Sequence, residues 1–583
     1  MVARTFVFVA ALFSLVVSAA TAAQPTTREI LPVSELKAGQ KGEVWTVFRG
    51  TEPEPFAVEI TGVVQNALGP GKSLILAELT DPRVQKMGAV AGMSGSPLYV
   101  DGKLAGALSY QVQRFETVRY AGFTPAADLA EVEAKAVASV AATPSGESSV
   151  VAATGMQPLR PVFTLSGLSP AVAELFAPKL AALGLSTTSL GGSLSAGADG
   201  VSAFQAQGLQ PGGAVAVALA TGDITLAGTG TVSTTDGVNV TAFGHPMMSL
   251  GHVALPMCAA EIVTILPSNM QSIKVANTGP VIGTISQDRL SAVSGTLGQG
   301  PEMTEVEVIV KSSSTAPRSL RFSVARQEFL TPVLVATGVS QAILGSNEAG
   351  LSKGFLLSSD ISFPSKPLLA TRALYSGPQG FQQGLNQFVQ DLAQNLQNPY
   401  EKTFPHRVVF TVEALEQSPI VTLDLFQLSR TTARGGDLVQ ATLAWRDYQG
   451  ASHRQVIDIP IDPAWVGRTV DVVLAPGPVL DELSGRPRTI AAAQLRSFDA
   501  YLAALRSERA PDGLSLAIVE RTSLFTDQTS ATPDAPDSIE RIARTADEAR
   551  FRQVEAVAAL WETHVLAGKL SSATLRRSLT IVE

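Results

Sequence analysis

Turn-forming residues interrupt this chain too often to leave much room for long helices. Glycine supplies 49 and proline 35 of its 583 residues, scattered with no Gly-X-Y period. That excludes a collagen-like winding and favours short strands joined by tight turns. Between the turns stand apolar runs of strand length: Glu43 to Phe48, Phe56 to Val64, Ser73 to Glu78 and Leu104 to Tyr110. Residues 206–310 return to this spacing, and 305–375 and 405–475 are β-rich as well. Three segments read as helices. In Pro170 to Leu185, Val172, Leu175, Phe176, Leu180 and Leu183 share one face. Phe381, Leu385, Phe388, Val389, Leu392 and Leu396 line a second, whose Gln/Asn polar face suits packing on its own domain better than a membrane surface. Ser538 to about His564 reads as a terminal helix.

Charged residues make up 16% of the chain, below the roughly 25% of an ordinary soluble protein, while apolar content is ordinary, which argues against disorder. The length allows roughly three to five domains. A net charge of −8 without a long basic run argues against a nucleic-acid groove. The single cysteine, Cys258, forms neither an internal disulfide nor a multi-cysteine zinc site. Its apolar setting, Leu255-Pro256-Met257-Cys258-Ala259-Ala260, is that of a buried small hydrophobe rather than a reactive thiol. At the N-terminus Arg4 precedes the apolar run Phe6 to Val17, in which only Ser14 is polar, and Ala20-Thr21-Ala22 and Ala22-Ala23 offer small-residue cleavage sites. The expectation is a signal peptide over 1–23 and a product exported to the periplasm, cell envelope or extracellular space. No later stretch reaches the length of an apolar span, so no integral membrane segment is expected after cleavage. An uncleaved anchor is the alternative.

The chemistry concentrates around Ser94. Gly92-Met93-Ser94-Gly95-Ser96-Pro97 leads into Leu98-Tyr99-Val100, then Asp101-Gly102, then Lys103-Leu104-Ala105-Gly106-Ala107-Leu108. Asp-Gly between two apolar runs signals a hairpin. Ser94 therefore lies in a glycine-flanked turn able to expose a hydroxyl and present backbone N–H groups to an oxyanion, as acyl transfer by serine requires. An α/β-hydrolase elbow is excluded, because Ser96 stands where its second glycine belongs and a hairpin follows. A phosphate loop at Gly69-Pro70-Gly71-Lys72-Ser73 is excluded by Asn66 and by the strand after it. A serine nucleophile needs a base. His245 ends an apolar strand in Val240-Thr241-Ala242-Phe243-Gly244-His245-Pro246, and His252 follows seven residues on; by position either serves. His406 and His453 read as surface residues, and His564 sits at the end of the terminal helix. Asp81, Asp223, Asp236 and Asp288 are candidate acids.

Residues 54–110 resemble the catalytic segment of the SpoIVB peptidase family, peptidase family S55. The resemblance rests on Glu54-Pro55-Phe56-Ala57-Val58-Glu59-Ile60, Leu79-Thr80-Asp81-Pro82, Ala91 to Pro97 and Asp101 to Ala107. A second block over 227–300 looks like the family's other half, through Gly228-Thr229-Gly230-Thr231-Val232, Ala242-Phe243-Gly244-His245, Ala260-Glu261-Ile262 and Gly283-Thr284-Ile285-Ser286-Gln287-Asp288. The resemblance implies a serine endopeptidase with a chymotrypsin-like double β-barrel, its nucleophile at Ser94, its histidine at His245, its acid at Asp81 and its oxyanion hole at the N–H groups of Gly92 and Ser94. Here the serine block precedes the histidine block, the reverse of the family order, and residues 306–583 are an extension.

The expected fold is mainly β. A signal peptide (1–23) precedes a serine-bearing barrel (24–140), a linker and helical segment (141–205) and a histidine-bearing barrel (206–305). A β-rich domain with the amphipathic helix (306–415), a sandwich-like domain (416–525) and a linker with a C-terminal helix (526–583) follow. The substrate is a protein or peptide, with the chain itself a candidate through the exposed linkers Val137–Gly155 and Asp527–Asp537. No cofactor or metal is expected. The alternative is a catalytically inactive peptidase-like scaffold that binds envelope proteins or glycans through its C-terminal region.

Overall fold

The computed structural model describes residues 24–25, 28–112, 118–138, 156–193, 209–268, 272–311, 316–345, 353–484, 497–526, 531–533, 536, 538, 541 and 552–583. The expected signal peptide lies outside them, as does most of both linkers.

The first barrel is built from β1 (Lys41–Thr46), β2 (Glu54–Gly69), β3 (Lys72–Leu79), β4 (Pro97–Val100), β5 (Lys103–Val112) and β6 (Tyr120–Pro125). They pair in the order β4-β1-β2-β3-β6-β5, and a β4–β5 pairing closes the ring. Alternation in sequence becomes alternation in space: Phe56, Val58 and Ile60 point inward while Ala57 and Glu59 face solvent. Asp101 and Gly102 take φ values of +51° and +76° between β4 and β5. Two successive positive φ angles match the twist of a two-residue hairpin, as the Asp-Gly signal predicts.

The second barrel uses β7 (Ala214–Gly222), β8 (Thr225–Thr235), β9 (Asn239–Ala242), β10 (Gly251–Leu266), β11 (Ile273–Arg289) and β12 (Ala292–Leu297). Its order is β7-β10-β11-β12-β9-β8, closed by β7–β8. Numbered from its own first strand, each barrel reads 1-2-3-6-5-4 around the ring. The chain thus repeats a topology without repeating a sequence period. Strand lengths differ too much for one, with 4 residues in β4 against 16 and 17 in β10 and β11.

The second barrel does not end at its sixth strand. Arg318–Ala325 pairs with β7 and carries Met303–Lys311, Arg407–Ala414, Phe355–Ser362 and Leu369–Tyr375 into the same sheet. Residues 306–415 therefore share a sheet and a hydrophobic core with the histidine-bearing barrel. The amphipathic helix, Gly377–Leu396, buries Leu385, Leu392 and Leu396 in that core, as its spacing predicts; the Phe381 side chain is outside the described residues. Farther on, a three-stranded sheet (Val421–Leu428, Leu438–Asp447, Ser452–Pro460) packs on a larger one through Phe426, Leu443, Val472, Leu516 and Ile581. That is the expected sandwich, but it extends to the C-terminus.

Ser538 and Arg541 are helical, but from Arg552 the expected terminal helix is overturned. Arg552–Val565 is a strand antiparallel to Leu514–Thr526, and Leu575–Val582 pairs with Thr469–Ala475. Its Ala and Glu residues favour a helix, but a long partner strand with Leu514, Leu516 and Ile518 buried beneath it decides otherwise. Within this strand, His564 bonds the Asp512 carbonyl at 2.7 Å. Among the described residues, no helix is long and apolar enough to cross a membrane.

Candidate active site at the barrel seam

Ser94 and His245 occupy the same position in their respective barrels, the connection from third to fourth strand. In the first barrel this connection runs from Leu79 to Pro97 and includes a short helix, α1 (Pro82–Met87). In the second it runs from Ala242 to Gly251. The two turns meet at the seam between the barrels.

The serine turn is laced to β8. Thr231 N–H donates to the Ser94 carbonyl at 2.8 Å, Thr231 Oγ1 to the Gly92 carbonyl at 3.0 Å, and Ser233 Oγ to the Gly95 carbonyl at 2.8 Å. Gly95, at φ +96°, lies so close to the other barrel that a Cβ would stand 2.0 Å from the Thr231 carbonyl oxygen. Only glycine fits both the backbone angle and the space. Of the N–H groups in the turn, Met93 donates to Val90, Gly95 to Leu108 and Ser96 to Met93. Those of Gly92 and Ser94 find no acceptor among the described residues.

Ser94 is fully buried, and among the described residues its Oγ has no hydrogen-bond partner. The same holds for Nε2 of His245, also fully buried. The two atoms are therefore not bonded to each other in this closed arrangement. The other ring nitrogen, Nδ1, bonds the Pro246 carbonyl at 2.8 Å. A carbonyl only accepts, so the proton resides on Nδ1 and the lone pair on Nε2, the tautomer a base toward Ser94 needs. Burial pushes the imidazole down to about 4; the Pro246 and Leu159 backbone favours its charged form, and Arg160 opposes it. Thr124 Oγ1 donates to the Gly244 carbonyl at 2.6 Å, a bond that fixes the histidine turn to the first barrel.

Asp81 is not joined to this pair. It caps α1, accepting from Arg83 N–H at 2.8 Å, and binds the Arg83 guanidinium at 3.2 and 3.1 Å. Partial burial works to raise its pKa, but the bonds and charge of Arg83 outweigh that and hold it low. Arg83 in turn reaches Glu54 and the Phe48 ring. Asp223 accepts from Arg321 N–H, and Asp236 caps its own turn and pairs with Arg28. Asp288 is the acid that reaches the histidine turn: its carboxylate accepts from the N–H groups of Met247, Met248 and Leu250 at 2.7, 2.8 and 3.2 Å. His252 is half-buried on β10 opposite Gln287, while His406 and His453 are exposed, as expected. Cys258 is buried among alanines, its thiol pushed up to about 12 by burial.

Lys274 escaped the sequence reading. It is 5% exposed, its stem packs under Gly92, its N–H donates to the Ala91 carbonyl, and Nζ donates to Thr46 Oγ1 at 2.8 Å. Burial pushes its ammonium down to about 7. The available signal was a lone lysine at an inward position of the alternating run Ile273-Lys274-Val275-Ala276.

Residues 13–123 match the family described as SpoIVB peptidase S55. Through this segment, which covers less than half of the chain, the chain is similar to the SpoIVB peptidase S55 family. That family is one of serine peptidases. Ser94 and Asp81 fall within the match and His245 beyond it. No curated protein and no solved structure matches the chain.

Proposed function

We propose that this chain is an exported serine endopeptidase related to the S55 peptidases, in which Ser94 is the nucleophile and His245 the base. Ser94 Oγ attacks the peptide carbonyl while its proton passes to His245 Nε2; the same proton then leaves with the amine. The Gly92 and Ser94 N–H groups receive the oxyanion. One observation carries the reading. Two buried polar atoms without partners among the described residues, Ser94 Oγ and His245 Nε2, belong to corresponding turns of two barrels that meet at one seam. An unpartnered buried polar atom is costly, and active sites are where that cost is tolerated. The resemblance puts the third member at Asp81, which would have to exchange Arg83 for the imidazole.

The full burial of Ser94 favours a second reading, a peptidase-like scaffold without turnover that binds envelope proteins or glycans through its C-terminal region. A fluorophosphonate probe separates the two. Labelled wild type with unlabelled Ser94→Ala and His245→Ala supports the peptidase. A folded wild type that resists the probe supports the scaffold. Export rests on Arg4 and the Phe6–Val17 run. Protein recovered from its own cell envelope should begin between Ala23 and Pro25, and an intact Met1 there would rule out cleavage.

A further inference from the structure

The bonds around His245 form a line that crosses one peptide unit. His245 Nδ1 donates to the Pro246 carbonyl at 2.8 Å. That carbonyl shares its peptide group with the N–H of Met247, which donates to Asp288 Oδ1 at 2.7 Å. In a planar trans peptide the C=O and N–H point in opposite directions, so the group can bridge a ring on one side and a carboxylate on the other. We propose that Asp288 is the positioning carboxylate of the site, acting on His245 through the Pro246–Met247 peptide. This rests on the reading of His245 as the base.

The placement of Asp288 suits the task. It stands near the end of β11, directly opposite Gly251 on β10 and Val293 on β12, so two ladders fix its backbone. The loop that leaves His245 returns to the sheet at Gly251, beside it. On the way the loop wraps the carboxylate, with Met248 and Leu250 donating to Oδ2. Ser249 bends the wrap with a φ of +60°, a left-handed angle that few non-glycine residues adopt. The carboxylate is 1% exposed, and among the described residues no cation pairs with it. Burial raises its pKa, and the bonds from the Met247, Met248, Leu250 and Ser249 N–H groups oppose that rise. Accepting from the Met247 N–H at Oδ1, the carboxylate in its ionised form polarises the peptide and makes the Pro246 oxygen a stronger acceptor. That fixes the proton on Nδ1 and stabilises the imidazolium formed when Ser94 gives up its proton. Asp288 thus orients the ring without touching it.

The test uses full-length protein, fluorophosphonate labelling, peptide turnover, and selective 15N labelling of the five histidines. Asp288→Asn keeps the shape but removes the charge and turns an N–H toward the donors. Turnover should fall at least about thirtyfold in kcat with KM changed less than about threefold, and the His245 Nδ1 resonance should shift. Asp288→Glu should recover part of the kcat. Met247→Pro removes the one bridging donor and leaves Met248 and Leu250 bonded; it should lower kcat as Asp288→Asn does. A folded Asp288→Asn with wild-type kcat and an unmoved His245 resonance overturns the proposal. Should both variants fail to fold, amide exchange in the wild type decides: a protected Met247 N–H supports the bridge and a rapidly exchanging one overturns it. His245→Ala separates the two readings. If it still labels, the base reading fails and takes this proposal with it. If it is dead while folded Asp288→Asn is fully active, only the role of Asp288 fails.

Discussion

The serine turn and the histidine turn hold the same place in their barrels but are kept there by different means. The serine turn is held from outside: three of its carbonyls, those of Gly92, Ser94 and Gly95, are bonded by Thr231 and Ser233 of the other barrel. The histidine turn is held largely from within its own barrel, by Asp288. The position of the proposed nucleophile is thus a property of barrel docking, while the orientation of the proposed base is a property of one barrel's fold. Disturbing the seam should displace Ser94 first and leave the imidazole in register.

The sharpest way to break that contrast is to add one methyl group to each turn. In Gly95→Ala the new Cβ would lie 2.0 Å from the Thr231 carbonyl oxygen and 2.4 Å from the Phe243 nitrogen, at a φ of +96°. Backbone cannot step aside as a side-chain tip can. The expected cost is about 4 kcal/mol or more, with probe labelling abolished. In Gly244→Ala the nearest atom is 3.2 Å away and φ is +68°, an ordinary left-handed angle. The expected cost is about 1–2 kcal/mol. Denaturant melts of both variants test this, and equal losses would mean that the two turns are held alike.

Next in size is acid sensitivity from the histidine side. The folded-state pKa of His245, about 4, lies below the roughly 6.5 of an unfolded histidine. Between these values the unfolded chain binds a proton that the folded chain refuses, so stability falls as pH drops from about 6.5 to 4. The full term is present above 6.5. Its size is about 3 kcal/mol. His245→Gln should flatten this window in urea titrations at successive pH values. An unchanged slope would mean that the ring is solvated and that the burial argument fails.

Much of this was legible in the sequence because it is local. Asp101-Gly102 announced its hairpin, the alternation of Phe56 to Ile60 announced its strand, and the glycines of Gly92 to Pro97 announced a turn. What could not be read depends on distant pairing. Asp288 lies 41 and 40 residues from the Met247 and Met248 N–H groups it accepts, and no spacing rule links a carboxylate to such donors. The resemblance put the acid at Asp81 through Thr80-Asp81-Pro82, yet Asp81-Pro82 is also a helix start, and the capping role is the one its bonds satisfy. Arg552–Val565 misled for a related reason. Its composition favours a helix in isolation, and its partner strand lies far back in the chain, at Leu514–Thr526.

A smaller effect sharpens the account of the seam. Thr231→Val keeps the N–H that binds the Ser94 carbonyl and removes only the hydroxyl that binds Gly92 O. One lost neutral hydrogen bond should cost about 1 kcal/mol. Because Gly92 offers a proposed oxyanion donor, kcat should fall severalfold while KM holds. A change confined to thermal stability would separate the seam from the chemistry.

The smallest expected effect decides between resemblance and geometry. Asp81→Asn replaces one good helix cap with another, so α1 should persist. The lost charge weakens a partly exposed pair with Arg83, and such pairs contribute little. Stability should change by less than about 1 kcal/mol, and kcat should stay within about threefold of wild type. A direct triad acid behaves otherwise: replacing it with the amide leaves the wrong imidazole tautomer and drops turnover on the order of 10⁴-fold. A loss of that size in a folded Asp81→Asn would mean that the carboxylate leaves Arg83 when substrate opens the seam. In that case the Pro246 carbonyl would be a resting partner of Nδ1, and the carboxylate control of the base would lie with the serine barrel.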